Sequence, residues 1–188
     1  MAKGATRQIL ARYLGADPRS LTFDRGAFGK PFLRSRELRF NLSHSGEFAL
    51  LAVARESEVG VDVEEIREIE DAAMIAEQNF SPGESRKLRA VLDSASGPAA
   101  FFNCWTRKEA FIKAIGEGLS HPLDTFEVTF LPQEIVELRL EGTTAHRWML
   151  STLPVSSHYS GALVVERPTA GDAPPEVACW QWQHACFA

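Results

Sequence analysis

Two acidic residues close together in the chain, Asp62 and Glu64, are the first candidates for chemistry. They lie in the segment Gly60-Val61-Asp62-Val63-Glu64, whose apolar residues predict a β-strand. Because side chains two residues apart on a strand project to the same face, the carboxylates are expected side by side, with both valines toward the core. Paired carboxylates suit a hard cation such as magnesium, which binds oxygen ligands, water and phosphate. The alternative is a strand end at which both acids are solvated.

A second group of reactive side chains falls on a predicted helix, Ala99 to Ile115, within the segment Trp105-Thr106-Arg107-Lys108-Glu109-Ala110-Phe111-Ile112-Lys113. Glu109 and Lys113 share one flank of that helix because they are four residues apart. There the carboxylate could bind metal or accept a proton, and the ammonium could neutralise phosphate charge. An exposed ion pair of small energetic value is the alternative. Lys108 falls within the apolar stripe of this helix. An alkyl chain that lies along the stripe and places the ammonium in solvent would explain that position.

The third candidate is the polar segment Asn41-Leu42-Ser43-His44-Ser45, which is predicted to form a turn directly before a strand at Phe48 to Ala54. A hydroxyl, an imidazole and backbone amides in one turn can hold a phosphate group. A surface histidine without function is the alternative. A serine nucleophile activated by His44 is disfavoured, because no third group is evident and neighbouring side chains rarely face one another.

Helices and strands that alternate along the chain must position these candidates. Apolar periodicity predicts helices at Thr6–Leu14 and Ala99–Ile115, and composition predicts one at Ile66–Asn79. Ser81 and Pro82 predict the start of another. Apolar runs predict strands at Leu21–Asp24, Phe48–Ala54, Val59–Val63, Thr125–Phe130, Ile135–Leu140, Arg147–Leu153, Gly161–Glu166 and Val177–Gln183. A helix followed by strands occurs twice, and the short connections favour antiparallel pairing. The sequence therefore predicts an α+β fold.

Bulk properties limit the class of protein. The 188-residue chain is 45% hydrophobic and 24% charged, as in an ordinary globular protein, and has a formal net charge of −5. This acidic balance predicts no general nucleic-acid binding, and no apolar run is long enough to predict a membrane helix. The cysteines, Cys104, Cys179 and Cys186, show no CxxC spacing, and the first residues lack a signal-peptide core. Both features predict a cytoplasmic location.

The order of five short motifs resembles that of the phosphopantetheinyl transferase superfamily. The motifs are Gly-Lys-Pro at 29–31, Phe-Asn-Leu-Ser-His-Ser at 40–45, Gly-Val-Asp-Val-Glu at 60–64, Trp-Thr-Arg-Lys-Glu-Ala-Phe-Ile-Lys at 105–113 and Gly-Leu-Ser-His-Pro-Leu-Asp at 118–124. Each motif alone is a weak signal, and their common order makes the resemblance specific. It extends from about Arg7 to Phe130 and is to the larger branch, which activates peptide synthetases, polyketide synthases and related carrier proteins.

The resemblance implies both a fold and an activity. The fold is a pseudo-dimer of two similar α+β halves, residues 1–95 and 96–188, each an antiparallel sheet with a long helix. Coenzyme A would lie in the cleft between them. The activity is that of a magnesium-dependent 4′-phosphopantetheinyl transferase, which moves the phosphopantetheine arm of coenzyme A to a serine hydroxyl of an acyl, peptidyl or aryl carrier protein and releases 3′,5′-ADP. Manganese could replace magnesium, since both accept oxygen ligands.

Carried over motif by motif, the resemblance also implies residue roles. Asp62, Glu64 and Glu109 would be the metal ligands, Glu109 would also be the general base, and Lys113 would be the catalytic cation at the phosphates. The residues that bind coenzyme A would be Arg7, Gly29, Lys30, Pro31, Ser43, His44 and Lys113. Glu84 matches a family acid whose role the resemblance leaves open.

Members of the larger branch carry further residues before the helix that Arg7 opens, so the sequence predicts a first half shortened at its N-terminus. A missing strand would leave an exposed sheet edge that favours self-association. Two alternatives for function stay open. One is an impaired family member that binds coenzyme A or a carrier protein without transfer. The other is an unrelated magnesium-dependent phosphohydrolase built on Asp62, Glu64 and Glu109, for which the Gly-Lys-Pro and Ser-His motifs would have no use.

Overall fold

The computed structural model describes residues 2–167, 169 and 174–182, which form four α-helices and ten strands. The helices are α1 (Ala2–Leu14), α2 (Ala72–Asn79), α3 (Pro82–Arg89) and α4 (Gly97–Ile115). The strands are β1 (Phe23–Arg25), β2 (Pro31–Leu33), β3 (Arg39–Ser45), β4 (Phe48–Ala54), β5 (Val59–Glu65), β6 (Phe126–Val128), β7 (Leu138–Leu140), β8 (Thr143–Thr144), β9 (Trp148–Thr152) and β10 (Tyr159–Glu166). Among the described residues, no helix is long and apolar enough to cross a membrane.

Every strand pair that the described residues form is antiparallel, which confirms the predicted α+β class. β1 pairs with β2, and β3 pairs with β4. β5, β10 and β9 form one three-stranded sheet in that order, and β6, β7 and β8 form another. The pairing of β5 with β10 links the two predicted halves of the chain. The boundary after residue 95 stays a prediction.

Helix α4 is the centre of the largest apolar core. Its residues Phe101, Cys104 and Ile112 are buried. The helix ends at Gly116, whose φ of 81° is a conformation that glycine adopts without the strain of a side chain. The core also includes residues of α2, α3, β6, β9 and β10. A buried central helix of this kind provides a rigid support for the polar side chains on its remaining face.

Strand β4 contacts two smaller apolar clusters, one on each face. Leu51 and Val53 pack toward the cluster that contains Leu10 of α1, whereas Leu50 and Ala52 pack toward the cluster of β5 and β10. Side chains alternate along a strand, so both faces of β4 are covered. The β3–β4 hairpin is therefore fixed between the N-terminal helix and the β5–β10 pair.

One predicted helix and one predicted strand differ clearly from the structure. The helix predicted from Ile66 begins only at Ala72, because the Ile66 N–H donates to the carbonyl of His158 and continues the approach to β10. The strand predicted at Val177–Gln183 is wrong for residues 177–182, which form no strand; Gln183 lies outside the described residues. Trp180 is 84% exposed, so the alternating pattern there does not face a core.

Candidate active site

A pocket of ≈ 360 Å³, open to solvent, lies where β3, β5 and α4 meet. Its wall consists of Leu42, Ser43, His44, Asp62, Glu64, Trp105, Glu109, Lys113 and Leu119. The structure therefore brings together all the predicted metal ligands, the predicted catalytic lysine, and Ser43 and His44. These residues come from three separate segments of the chain, and only the fold makes them neighbours.

Gly60 allows the close approach of β5 to α4 that forms this pocket. A Cβ atom at Gly60 would collide with the backbone of Ala110 and Ala114 in α4. Residue 60 must therefore be glycine for the strand and the helix to lie this close. Pairing with β10 sets Asp62 opposite Ala162 and fixes the position of the carboxylate along the helix.

Asp62 is the most deeply buried acid of the pocket, with 2% of its surface exposed. Its Oδ1 atom accepts hydrogen bonds from Ser43 Oγ at 2.7 Å and from Lys113 Nζ at 2.6 Å. Its Oδ2 atom is buried and has no hydrogen-bond partner among the residues that the structure describes. Burial raises the pKa of Asp62, although Lys113 and Ser43 oppose the shift. A buried carboxylate oxygen without a partner is costly, and a bound cation would relieve that cost.

Glu64 lies beside Asp62 on the same strand face and is half-buried. Ser45 Oγ donates to Glu64 Oε2 at 2.8 Å and accepts from the N–H of Glu65 at 3.1 Å. The orientation of the Glu64 carboxylate is therefore set by β3.

Glu109 extends from α4 into the same pocket. Burial raises the pKa of Glu109; Lys113 opposes the shift, whereas the negative charges of Asp62 and Glu64 add to it. Within the described residues, Lys113 forms its ion pair with Asp62 and not with Glu109. The surface Glu109–Lys113 pair, considered as an alternative from the sequence, is therefore not formed.

The donor types in the pocket fit a divalent cation, since three carboxylates line it and one buried oxygen has no partner among the described residues. In the part of the chain that the structure describes, no three acidic, histidine or cysteine side chains form a group that could hold a metal ion as they stand. Lys113 supplies the positive charge beside Asp62 instead. A cation would require Lys113 and the carboxylates to rearrange.

The Gly-Lys-Pro turn lies next to the pocket, outside its wall. Lys30 Nζ lies 3.0 Å from Glu58 Oε2 and donates to the carbonyls of Val59 at 3.2 Å and Ala114 at 2.9 Å. The lysine side chain thus fastens the segment between β1 and β2 to the last turn of α4. A role for residues 29–31 with coenzyme A stays a prediction.

Arg7 lies in α1, where the structure does not bring it into the pocket wall. Its guanidinium donates to the carbonyls of Pro18 at 2.9 Å and Leu21 at 2.6 Å and lies 4.8 Å from the centre of the Phe23 ring. These contacts hold the segment after α1 against β1. A role for Arg7 with coenzyme A stays a prediction.

The prediction that Lys108 reaches solvent is wrong, because its side chain is 0% exposed. Its Nζ atom lies 2.8 Å from Glu84 Oε2 and donates to the carbonyls of Leu123 at 2.7 Å and Phe126 at 2.6 Å. Glu84 also accepts from the N–H of Val128 at 2.7 Å. The structure thus joins two residues whose roles the sequence left open. Together they tie α3, α4 and β6.

Sequence reasoning missed Ser45, Leu42 and Leu119. The predicted turn at residues 41–45 is wrong, since these residues belong to β3 and the hairpin turns at Gly46, where φ is 53°. Read as a strand, the segment would have placed Ser43 and Ser45 on one face at the same spacing as the two acids of β5. Leu119 is 73% exposed at the pocket, and no local pattern marks its position.

The fold and the pocket define an α+β protein whose acidic and cationic side chains suit chemistry on a phosphorylated substrate. The family described as ACPS, the 4′-phosphopantetheinyl transferase superfamily, matches residues 58–164. The chain belongs to this superfamily. Its similarity to the relatives named next also confirms the predicted larger branch.

Three named relatives are similar over most of this chain. The 4′-phosphopantetheinyl transferase HetI of Nostoc sp. is 36% identical over 167 residues, which cover 87% of this chain and 68% of HetI. The transferase psf-1 of Bacillus pumilus is 32% identical over 174 residues, covering 92% of this chain and 72% of psf-1. A 4′-phosphopantetheinyl transferase of Bacillus subtilis is 34% identical over 135 residues, which cover 71% of this chain and 58% of that transferase.

The chain spans between 48% and 72% of the length of five bacterial relatives that it matches. Among solved structures, a holo-(acyl-carrier-protein) synthase of Bacillus anthracis in complex with CoA (3′,5′-ADP) is 22% identical. It has a TM-score of 0.48 and covers 58% of this chain and 94% of that one. The family assignment rests on the sequence matches alone.

Proposed function

We propose that this protein transfers the 4′-phosphopantetheine arm of coenzyme A to a serine hydroxyl of a carrier protein and releases 3′,5′-ADP, with magnesium as its metal. The observation that carries the proposal is the pocket itself. In a member of this superfamily, Asp62, Glu64, Glu109 and Lys113 line one open pocket, where a buried oxygen of Asp62 has no partner among the described residues.

Glu109 is the proposed general base. A serine hydroxyl is a poor nucleophile near neutral pH and needs a positioned base to take its proton. Burial raises the pKa of Glu109, which brings it closer to the working pH, where a base is most effective. Glu109 lies on the wall of an open pocket, so a serine of a docked protein can reach its carboxylate.

Lys113 is the proposed phosphate-binding cation. Its ammonium contacts Asp62 Oδ1 and Ser43 Oγ, and its side chain is 26% exposed at the pocket. A partly exposed lysine with a flexible stem can turn from Asp62 toward the phosphates of a ligand in the pocket. There it would neutralise the charge that develops on the departing 3′,5′-ADP.

Asp62, Glu64 and Glu109 would hold the magnesium ion, and manganese could take its place. The all-oxygen donor set and the unpartnered Oδ2 atom of Asp62 support this assignment. When bound, the ion would neutralise pyrophosphate charge alongside Lys113. Burial is the main cause of the raised pKa values of Asp62 and Glu109, and neighbouring negative charges add to it; a bound ion would offset both.

The remaining parts of the proposal concern coenzyme A and the partner protein. Ser43 and His44 line the pocket and suit the phosphate groups of coenzyme A, whereas residues 29–31 and Arg7 are proposed contacts beyond the pocket wall. The proposed partner is an acyl, peptidyl or aryl carrier protein. A cytoplasmic location stays a prediction from the cysteine pattern.

Intact-mass spectrometry of an apo carrier protein, incubated with this protein, coenzyme A and magnesium, tests the proposal. We expect the carrier to gain one phosphopantetheine group with release of 3′,5′-ADP, and no gain when metal is chelated. Free phosphopantetheine formed without a carrier would instead indicate a phosphohydrolase. Binding of coenzyme A without a mass gain on several carriers would indicate the impaired family member.

A further inference from the structure

Strand β3 contacts β5 through a set of polar side chains. Residues at every second position of a strand point to one face, so Asn41, Ser43 and Ser45 project together. The contacts run from Asn41 to the backbone of Val61, from Ser43 to the carboxylate of Asp62 and from Ser45 to the carboxylate of Glu64. A row of three polar side chains on β3 thus faces the acidic strand.

We propose that Ser45 is a positioning residue that orients Glu64 for a divalent cation, as Ser43 orients Asp62. The inference rests on the metal site of the proposed function, because Glu64 is a ligand only if the pocket binds a cation. The two serines have the same spacing as the two acids. Each carboxylate therefore accepts a hydrogen bond from one serine hydroxyl.

The contacts of Ser45 leave its hydroxyl little freedom. Its oxygen accepts from the N–H of Glu65 at 3.1 Å and lies 2.8 Å from Glu64 Oε2. A carboxylate only accepts hydrogen bonds, so the hydroxyl proton must point at Glu64. The serine therefore bridges the backbone of β5 to the carboxylate and holds its orientation.

An oriented carboxylate binds a cation more tightly than a free one, because less rotational freedom is lost on binding. Groups that hydrogen-bond to metal ligands change metal affinity by about 10–100-fold when they are removed. Ser45 stands in that relation to Glu64. Ser43 has a second contact, since Lys113 Nζ donates to it at 3.2 Å, so Ser45 is the cleaner residue to test.

The test is a titration with Mn²⁺, followed by electron paramagnetic resonance of the free ion, on the full chain with coenzyme A present. We expect Ser45→Ala to weaken Mn²⁺ binding by about 10–100-fold. Ser45→Thr keeps the hydroxyl and should restore the affinity. Carrier loading by Ser45→Ala should recover toward the wild-type rate as Mn²⁺ is raised, because the reacting groups are unchanged.

Asn41→Ala is the matched control, because Asn41 lies on the same face and contacts β5 without touching a carboxylate. Its Oδ1 atom accepts from the N–H of Val61 at 2.8 Å. We expect this variant to melt at a lower temperature and to bind Mn²⁺ as the wild type does. If Ser45→Ala does not fold, Ser45→Cys, with its weak S–H donor, replaces it in the titration.

Wild-type Mn²⁺ affinity in folded Ser45→Ala, or an equal loss in Asn41→Ala, would overturn the positioning role. Absence of Mn²⁺ binding by the wild-type protein would overturn it as well. The proposed transferase function is decided separately by the mass gain of the carrier. A protein that binds Mn²⁺ through an oriented Glu64 but loads no carrier would therefore retain this inference and lose the function.

Discussion

Helix α4 carries two lysine–carboxylate pairs that differ in how completely their polar atoms are satisfied. In the Lys108–Glu84 pair, the lysine has three oxygen partners, and each carboxylate oxygen of Glu84 accepts a backbone N–H. In the Lys113–Asp62 pair, Asp62 Oδ2 is buried without a partner in the described part of the chain. A complete pair stabilises a fold, whereas an incomplete pair at an open pocket is available to a ligand.

The surroundings of the two pairs explain this difference. Lys108 Nζ lies 4.2 Å from the centre of the Phe126 ring and 5.6 Å from that of Phe80, in a part of the core closed to solvent. The Lys113–Asp62 pair faces the pocket between β3, β5 and α4. Lys108 thus fixes one side of α4 in the core, whereas the Lys113–Asp62 pair on the other side is accessible to a ligand in the pocket.

The largest expected effect is the loss of stability when the complete pair is broken. Lys108→Met leaves the Glu84 carboxylate buried without its cation, which should lower the free energy of unfolding by about 3–5 kcal/mol. Urea or guanidinium unfolding followed by circular dichroism measures it. The double variant Lys108→Met/Glu84→Leu, which removes both charges, should recover part of the loss. A single variant as stable as the wild type would show that this pair does not anchor α4.

The incomplete pair should give the opposite result, with activity affected more than stability. Asp62→Asn removes a buried charge whose partner, Lys113, can turn to solvent, so the free energy of unfolding should change little. The rate of carrier loading should fall on the order of 10²–10³-fold, the range seen when one electrostatic group of a reaction site is lost. Loading kinetics measured together with denaturant unfolding provide both values. A variant that loses stability and keeps its rate would reverse the comparison.

The pH dependence of stability should also identify the incomplete pair. The pKa values of Asp62 and Glu109 are raised in the folded protein, so the folded state binds protons more tightly than the unfolded state. Stability therefore falls as pH rises from the ordinary carboxyl pKa through the raised values. In metal-free buffer, Asp62→Asn should show a shallower fall over this window than the wild type. Parallel curves of melting temperature against pH would contradict the raised pKa of Asp62.

We expect the smallest effect at the exposed ion pair between Arg34 and Asp24. Arg34 contacts both carboxylate oxygens of Asp24 at 2.9 Å, and the hydrogen bond from Arg34 lowers the pKa of Asp24. Water screens such a pair, so Asp24→Asn should change neither the melting temperature nor the loading rate measurably. It serves as the surface control for both acidic variants. A clear loss of loading in Asp24→Asn would extend the functional surface to β1.

Much of the site could be predicted from the sequence because its residues sit on strongly patterned elements. The apolar residues around Asp62 predict strand β5, and the long apolar helix predicts α4, which carries Glu109 and Lys113. β5 and α4 thus carry the three acidic residues of the pocket, Asp62, Glu64 and Glu109. Their polar residues stand out because they interrupt an apolar background.

The remaining features depend on tertiary contacts that no local pattern shows. The polar segment 41–45 has the composition of a turn, but its pairing with β4 makes it a strand. The burial of Lys108 follows from Glu84 on α3 and from carbonyls after α4, which a helical wheel does not include. The contact between Ser45 and Glu64 becomes predictable only once β3 is known to face β5.

The measurement that tests the central claim most directly is the mass of an apo carrier protein incubated with coenzyme A, magnesium and either Glu109→Gln or Glu117→Gln. Glu117 lies just beyond α4, outside the pocket wall, and its Oε2 atom lies 2.8 Å from His121 Nδ1. We predict that Glu117→Gln loads the carrier as the wild type does, whereas Glu109→Gln binds coenzyme A and adds no phosphopantetheine. Loading by Glu109→Gln at the wild-type rate would contradict the assignment of this pocket as the reaction site.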